Sequence, residues 1–162
     1  MSRAVIGIDP GARGAVVLLT DAHASGFVLP TSTAGLDGRQ LVVELMELTY
    51  GIKHDMVPLP LVIVERAQSF PGQGIASAFK YGRDYGKILG ILDALGWPYE
   101  TVPPAQWHRQ IVGGDPSEGK ARAAAVVAAR LPDLELRPGR CRVPHDGIVD
   151  AACLALWGRG RG

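Results

Sequence analysis

Cysteine is scarce in this chain of 162 residues, with Cys141 and Cys153 the only two. They have neither the close pairing nor the histidine partners that a tetrahedral zinc site uses, which excludes a cysteine-based zinc centre. They read as reduced thiols, with a disulfide as the alternative. No apolar run approaches the roughly 18 residues of a membrane span. The first residues, Met1-Ser2-Arg3-Ala4-Val5, lead straight into an apolar stretch and do not resemble a secretory signal, so a cytoplasmic protein is expected. Neither sign of charge dominates: 17 Lys and Arg face 16 Asp and Glu, a formal +1. That balance argues neither for nor against nucleic acid, although the bases are mostly Arg, which suits phosphate contact. Long polar tracts are missing too, and 47% of residues are apolar, which excludes a disordered chain. The expectation is one globular domain over 1–162, long enough to bury a core without staples.

Residues 4–9 form a short apolar strand ending on Asp9, followed by the turn Pro10-Gly11-Ala12-Arg13-Gly14. A second strand is predicted over 15–20 and a weaker third over 26–30, as a tight antiparallel meander. Leu41, Val42, Leu45, Met46 and Leu48 have helical spacing within 36–50. Residues 59–65 are a continuous apolar run ending on Glu65, as in a strand buried on both faces. A long helix is expected over 74–95, a last strand over 99–102, and helices near 117–131 and 144–157. This order predicts an α/β protein with a mixed central sheet of about five strands flanked by helices, the order of the RNase H-like fold.

Two predicted strands thus end on carboxylates, Asp9 and Glu65, and the last helix opens with two more. Asp146 and Asp150 are four apart and share a helix face. Pro144 suits the first helical position, and Asp146 then falls in the first turn, where the helix dipole favours an acid. Each acid alone has a plain reading as a turn, edge or cap residue. Together they bring four carboxylates to one end of one sheet. Packed carboxylates raise each other's pKa, and a divalent cation with a taste for oxygen ligands relieves that. Two such ions about 4 Å apart can clamp a phosphodiester for in-line attack by water.

Ile6-Gly7-Ile8-Asp9-Pro10-Gly11, Val62-Ile63-Val64-Glu65 and His145-Asp146-Gly147-Ile148-Val149-Asp150-Ala151-Ala152 resemble the three acidic motifs of RuvC-type Holliday-junction resolvases, the last in the His-Asp-Gly form common in small phage members. Phe70-Pro71-Gly72-Gln73-Gly74, Phe79-Lys80-Tyr81-Gly82-Arg83, residues 103–107 and the basic helix holding Lys120 resemble those phage proteins as well. The resemblance covers essentially the whole chain. It implies paired cleavage of four-way DNA junctions by a homodimer using Mg²⁺ or Mn²⁺, two ions per site, with Asp9, Glu65, Asp146 and Asp150 as ligands. Bacterial relatives usually place the last two acids three apart rather than four, so the role of Asp146 departs from that pattern. His145 is a candidate to share it, against a local packing role.

The resemblance also implies that Lys120 lies beside the scissile phosphate, where a cation offsets charge in the transition state. It further implies DNA contacts at Gln68, Ser69, Phe70, Lys80, Arg83 and Arg122, with Phe70 stacking at the branch point. Gly82, Gly86 and Gly90 recur every four residues in a predicted helix, where each costs about 1 kcal/mol relative to Ala. Such a stripe allows close approach to the sheet or to a partner helix, and the resemblance implies the dimer interface. Trp107 reads as core. Cleavage of flaps or forks by the same metal site is the alternative activity. Gly-Ile-Asp-Pro-Gly also resembles the phosphate loop of actin-like ATPases, but those need two lobes, so no nucleotide cofactor is expected. A catalytically dead junction-binding protein is disfavoured by the presence of all four acids.

Overall fold

Strand alternation divides the central sheet into two faces. In β1 (Val5–Asp9), Ile6 and Ile8 point to one side, while Val5, Gly7 and Asp9 point to the other. The structure, a computed structural model, describes residues 3–50, 58–69, 71–114 and 116–161. β2 (Ala15–Leu19) and β3 (Ala24–Val28) continue from β1 as the expected antiparallel meander. The two-residue strands β4 (Thr31–Ser32) and β5 (Gly35–Leu36) form a small separate hairpin. α1 (Gly38–Thr49) follows, and then β6 (Leu61–Glu65), parallel to β1. α2 (Ile75–Leu95) leads to β7 (Tyr99–Val102), parallel to β6. α3 (Pro104–Ile111), α4 (Gly119–Arg130) and α5 (Asp146–Arg159) complete the chain. The five-stranded sheet has the order β3-β2-β1-β6-β7. It is mixed and flanked by helices, as expected from the sequence.

Leu41 and Leu45 of α1 and Ile88 and Leu92 of α2 bury against Ile6, Ile8, Val16, Leu18, Val62 and Val64 on one face. The other face is covered by α5, with α3 and α4 outside it. α5 is buried nearly all round, since Ala151 through Ala155 are fully enclosed. A helix apolar on every side belongs between layers. Its distance from the sheet is set by Gly7: a Cβ there would lie 1.9 Å from the Ala151 carbonyl oxygen.

Several boundaries differ from expectation. The third strand ends at Val28: the Leu29 N–H still meets the Gly14 carbonyl opposite it (2.9 Å), but Pro30 has no N–H to carry the ladder further. α1 starts two residues late, where Asp37 Oδ1 caps the Arg39 and Gln40 N–H groups at 3.1 Å each. Pro144 is not the first helical residue of α5. His145 is the N-cap, its Nδ1 accepting the Ile148 N–H at 3.4 Å, and Asp146 takes the first position. α3 and the β4–β5 hairpin were not expected at all.

Candidate active site

β1 and β6 run parallel with Ile8 beside Val64, so Asp9 and Glu65 leave the sheet side by side at its carboxyl end. Both fall on the α5 face, together with Val5 and Ile63. That end of a parallel pair is where ligands of open α/β sheets bind. α5 approaches the same point because Gly147 packs on the β1–β2 turn, where a Cβ would meet the Arg13 carbonyl oxygen at 2.1 Å. Asp150, one turn into the helix, is delivered next to Asp9. Asp9 is oriented by the Gly11 N–H, donated to its Oδ1 at 2.9 Å. Glu65 is oriented by the buried indole of Trp107, whose Nε1–H donates to Oε2 at 2.9 Å.

Burial and mutual repulsion act on these acids in the same direction. Desolvation, and then the charge of Asp9, push Glu65 up to about 7. Desolvation, and then Asp9, Glu65 and Asp146, push Asp150 up to about 7. Asp9 is raised by burial, against the pull of the Gly11 N–H and the neighbouring His145. Asp146 is different. It is half exposed and accepts from Lys120 Nζ at 2.8 Å, an exposed pair of little energetic weight. The hydrogen bond to Asp146 holds the Lys120 ammonium above its usual range. Three carboxylates thus form a desolvated group, and the fourth sits at its rim with a cation. No three acid, histidine or cysteine side chains among the described residues converge as a ready-made metal cage. Asp146 is turned to Lys120 and one Glu65 oxygen to Trp107. The donor set nonetheless suits a hard divalent cation: carboxylate oxygens only, carrying repulsion that protonation or a cation must relieve.

The fold aligns with that of Thermus thermophilus RuvC in complex with Holliday junction substrate, at a TM-score of 0.57 and 21% identity, over 96% of this chain and 91% of that one. The fold is RuvC-like. A second Thermus thermophilus RuvC structure aligns at 0.57 and 24% identity, covering 94% of this chain and 91% of its own. The yeast mitochondrial Holliday junction resolvase Ydc2 aligns at 0.55 and 12% identity, covering 93% of this chain and 75% of its own. No protein-family model matches the sequence, and no curated protein matches it either.

Within this RuvC-like fold the remaining candidates scatter around the acids. Gln68 and Ser69 are exposed just beyond Glu65, and Phe70 lies outside the described residues. Lys80 is exposed on α2. Arg83 is engaged rather than free: it pairs with Asp84 at 3.1 Å and donates to the Ala34 carbonyl of the β4–β5 hairpin. Arg122 packs over the loop before α4, its guanidinium occupying the space a Cβ on Gly114 would need. His145 is 7% exposed and caps α5, so its ring serves the helix. Three site residues were not anticipated. Trp107 is core, as expected, but also holds Glu65; a buried indole N–H needs an acceptor, which was the available signal. Tyr81 of α2 lies close enough to Glu65 and Asp9 for their charges, after desolvation, to push its phenol up to about 12. Arg13 adds a second cation near Lys120.

Proposed function

We propose that the chain is a divalent-metal-dependent endonuclease that resolves four-way DNA junctions, of the small phage kind its motifs resemble. The observation that carries this reading is the group of desolvated carboxylates from three separate elements, Asp9, Glu65 and Asp150. Burial first, and then the repulsion of neighbouring charges, push Glu65 and Asp150 up to about 7. Asp9, Glu65 and Asp150, with Asp146 once it releases Lys120, would hold the metal, Mg²⁺ or Mn²⁺, as two ions. Bound there, divalent cations supply charge neutralisation, activation of water and stabilisation of the leaving oxygen. The chain's own groups do the rest. The Gly11 N–H and the Trp107 indole fix two carboxylates before substrate arrives. Lys120 and Arg13 supply positive charge at the rim for the phosphate. His145 fixes the start of α5, and through it both aspartates.

The structural similarity to two RuvC structures and a mitochondrial junction resolvase supports four-way junctions as substrate. A closed two-fold dimer would present one site to each of two equivalent strands. Ile75 and Phe79 are 90% and 73% exposed, and with Gly82, Gly86 and Gly90 they line the side of α2 opposite Ile88 and Leu92. Nothing lies within 4 Å of a Cβ on any of the three glycines. This stripe therefore does not serve the sheet, and it supports a second copy seated along α2. The test is cleavage of a labelled immobile four-way junction beside linear duplex and flap controls, in Mg²⁺, Mn²⁺ or EDTA. Paired symmetric nicks in the junction alone, lost in EDTA, are expected. Equal cutting of flaps or forks would replace junction resolution by general branched-DNA cleavage, and no metal-dependent cutting would remove the nuclease reading.

A further inference from the structure

A cavity of about 550 Å³ opens beside the acids, between the β1–β2 turn, the β4–β5 hairpin and α2. Its size falls within the ~300–1,000 Å³ of small-ligand sites. Two residues join it to the candidate active site. Gly11 lines it and donates to Asp9, and Tyr81 lines it and feels the charges of Glu65 and Asp9. Its floor is apolar, made by Leu29, Leu36 and Ile88, each at most 5% exposed. Its rim is polar and carries Ser77, Lys80 and Asp84. The wall facing α2 is pinned in place: Lys87 Nζ donates to the Leu36 carbonyl at 2.9 Å, and Arg83 donates to the Ala34 carbonyl. Gly35, at φ +107°, presses against the Arg83 and Asp84 side chains, which leaves no room for a Cβ. Ser77, Lys80, Tyr81, Asp84 and Ile88 lie on the side of α2 away from the exposed glycine stripe, so a dimer through that stripe leaves the cavity open.

We propose that this cavity receives one unpaired nucleobase of the cleaved strand, from a nucleotide next to the scissile phosphate. The inference rests on the nuclease reading above and adds a base-binding subsite to it. A flat apolar ring system suits the Leu29, Leu36 and Ile88 floor, and the Tyr81 ring offers a stacking wall. The polar edge of the base meets the rim, where Asp84 makes both its ion pairs through Oδ1 and keeps acceptor capacity on Oδ2. Lys80 at the mouth suits the phosphate of the same nucleotide. A paired base cannot enter, because its hydrogen-bonding edge is already used, and this favours branch points with unpaired nucleotides.

The test uses the full chain in EDTA, so that binding is read without cleavage, with four-way junctions carrying 5-iodouracil at single positions around the branch. Ultraviolet cross-linking followed by peptide mass spectrometry is expected to join one position to Tyr81. Ser77→Phe, at an exposed helical position, should fill the cavity and remove that cross-link while the thermal midpoint stays unchanged. In Mg²⁺, an abasic nucleotide at the cross-linking position should slow wild-type cleavage at least tenfold and leave Ser77→Phe unaffected. Junction binding with no cross-link to any cavity residue would overturn the subsite and spare the nuclease. Equal wild-type cleavage of abasic and intact junctions would do the same. No binding to any DNA would remove both.

Discussion

Asp9 and Glu65 are both held by a single neutral donor, and the two donors invite different experiments. Asp9→Asn keeps an oxygen for the Gly11 N–H and removes the negative charge. Cleavage should vanish while junction affinity changes by no more than a few-fold, because binding rests largely on phosphate contacts made elsewhere. A gel-shift titration beside a cleavage assay checks both halves. Trp107→Phe keeps the ring in the core and deletes only the N–H that reaches Glu65 Oε2. Loss of such an orienting partner typically costs about 10–100-fold in metal affinity or activity, so the deficit should be largest at limiting Mn²⁺ and shrink as the metal is raised. The indole also lowers the Glu65 pKa. Without it that pKa rises further, and the rising limb of the pH–activity profile should move to higher pH. A merely structural tryptophan would lower activity without moving that limb.

Elements place these residues, and Gly7 decides how closely they meet. A methyl group there would meet the Ala151 carbonyl at 1.9 Å and the Ala155 nitrogen at 2.6 Å. Gly7→Ala must therefore lift α5 from the sheet, costing about 1–3 kcal/mol or more, and must draw Asp150 away from Asp9. Urea denaturation should show the first effect, and a cleavage defect larger than the stability loss explains should show the second. On the outer face of α2, Phe79→Asp should turn a dimer into a monomer by light scattering; since Phe79 is 73% exposed in the single chain, the thermal midpoint should fall only by what association contributes and lose its dependence on protein concentration. The strands that carry Asp9 and Glu65 were legible because their apolar runs are local and end on the acid itself. α5 was legible because its acids open an apolar run. α3 was not: in eight residues only Trp107 and Ile111 mark its apolar side, too few to show a helical period. The β4–β5 hairpin was not, because two-residue strands have no period. The same limit applies to the site. The four acids could be read from element ends, but Trp107 reaching Glu65 and Tyr81 approaching it depend on tertiary packing, which spacing along the chain does not encode.

For the whole molecule, the acid group couples stability to pH and, on the proposed reading, to metal. Glu65 and Asp150 rise from their ordinary values of 4.5 and 3.8 to about 7, and Asp9 is raised as well. Between about pH 4.5 and 7 the folded chain thus holds protons that the unfolded chain has already released. Stability contributed by these groups therefore falls as pH rises through that window, and the penalty is complete above pH 7. Because the acids titrate as a coupled set, their joint effect is on the order of 1–3 kcal/mol rather than a sum of separate shifts. That corresponds to several degrees in thermal midpoint at roughly 2–4 °C per kcal/mol. In EDTA the midpoint should be higher at pH 5.5 than at pH 8. Mn²⁺ should raise it strongly at pH 8 and weakly at pH 5.5, where bound protons must first be displaced. Asp150→Asn removes one of the repelling charges, so in EDTA at pH 8 it should be more stable than the wild type, with a flatter pH dependence and a smaller response to Mn²⁺. Scanning calorimetry on both proteins at the two pH values checks every sign. A wild-type midpoint unchanged between pH 5.5 and 8, or a larger Mn²⁺ effect at the lower pH, would mean that these carboxylates are not the mutually repelling group from which the metal site has been argued.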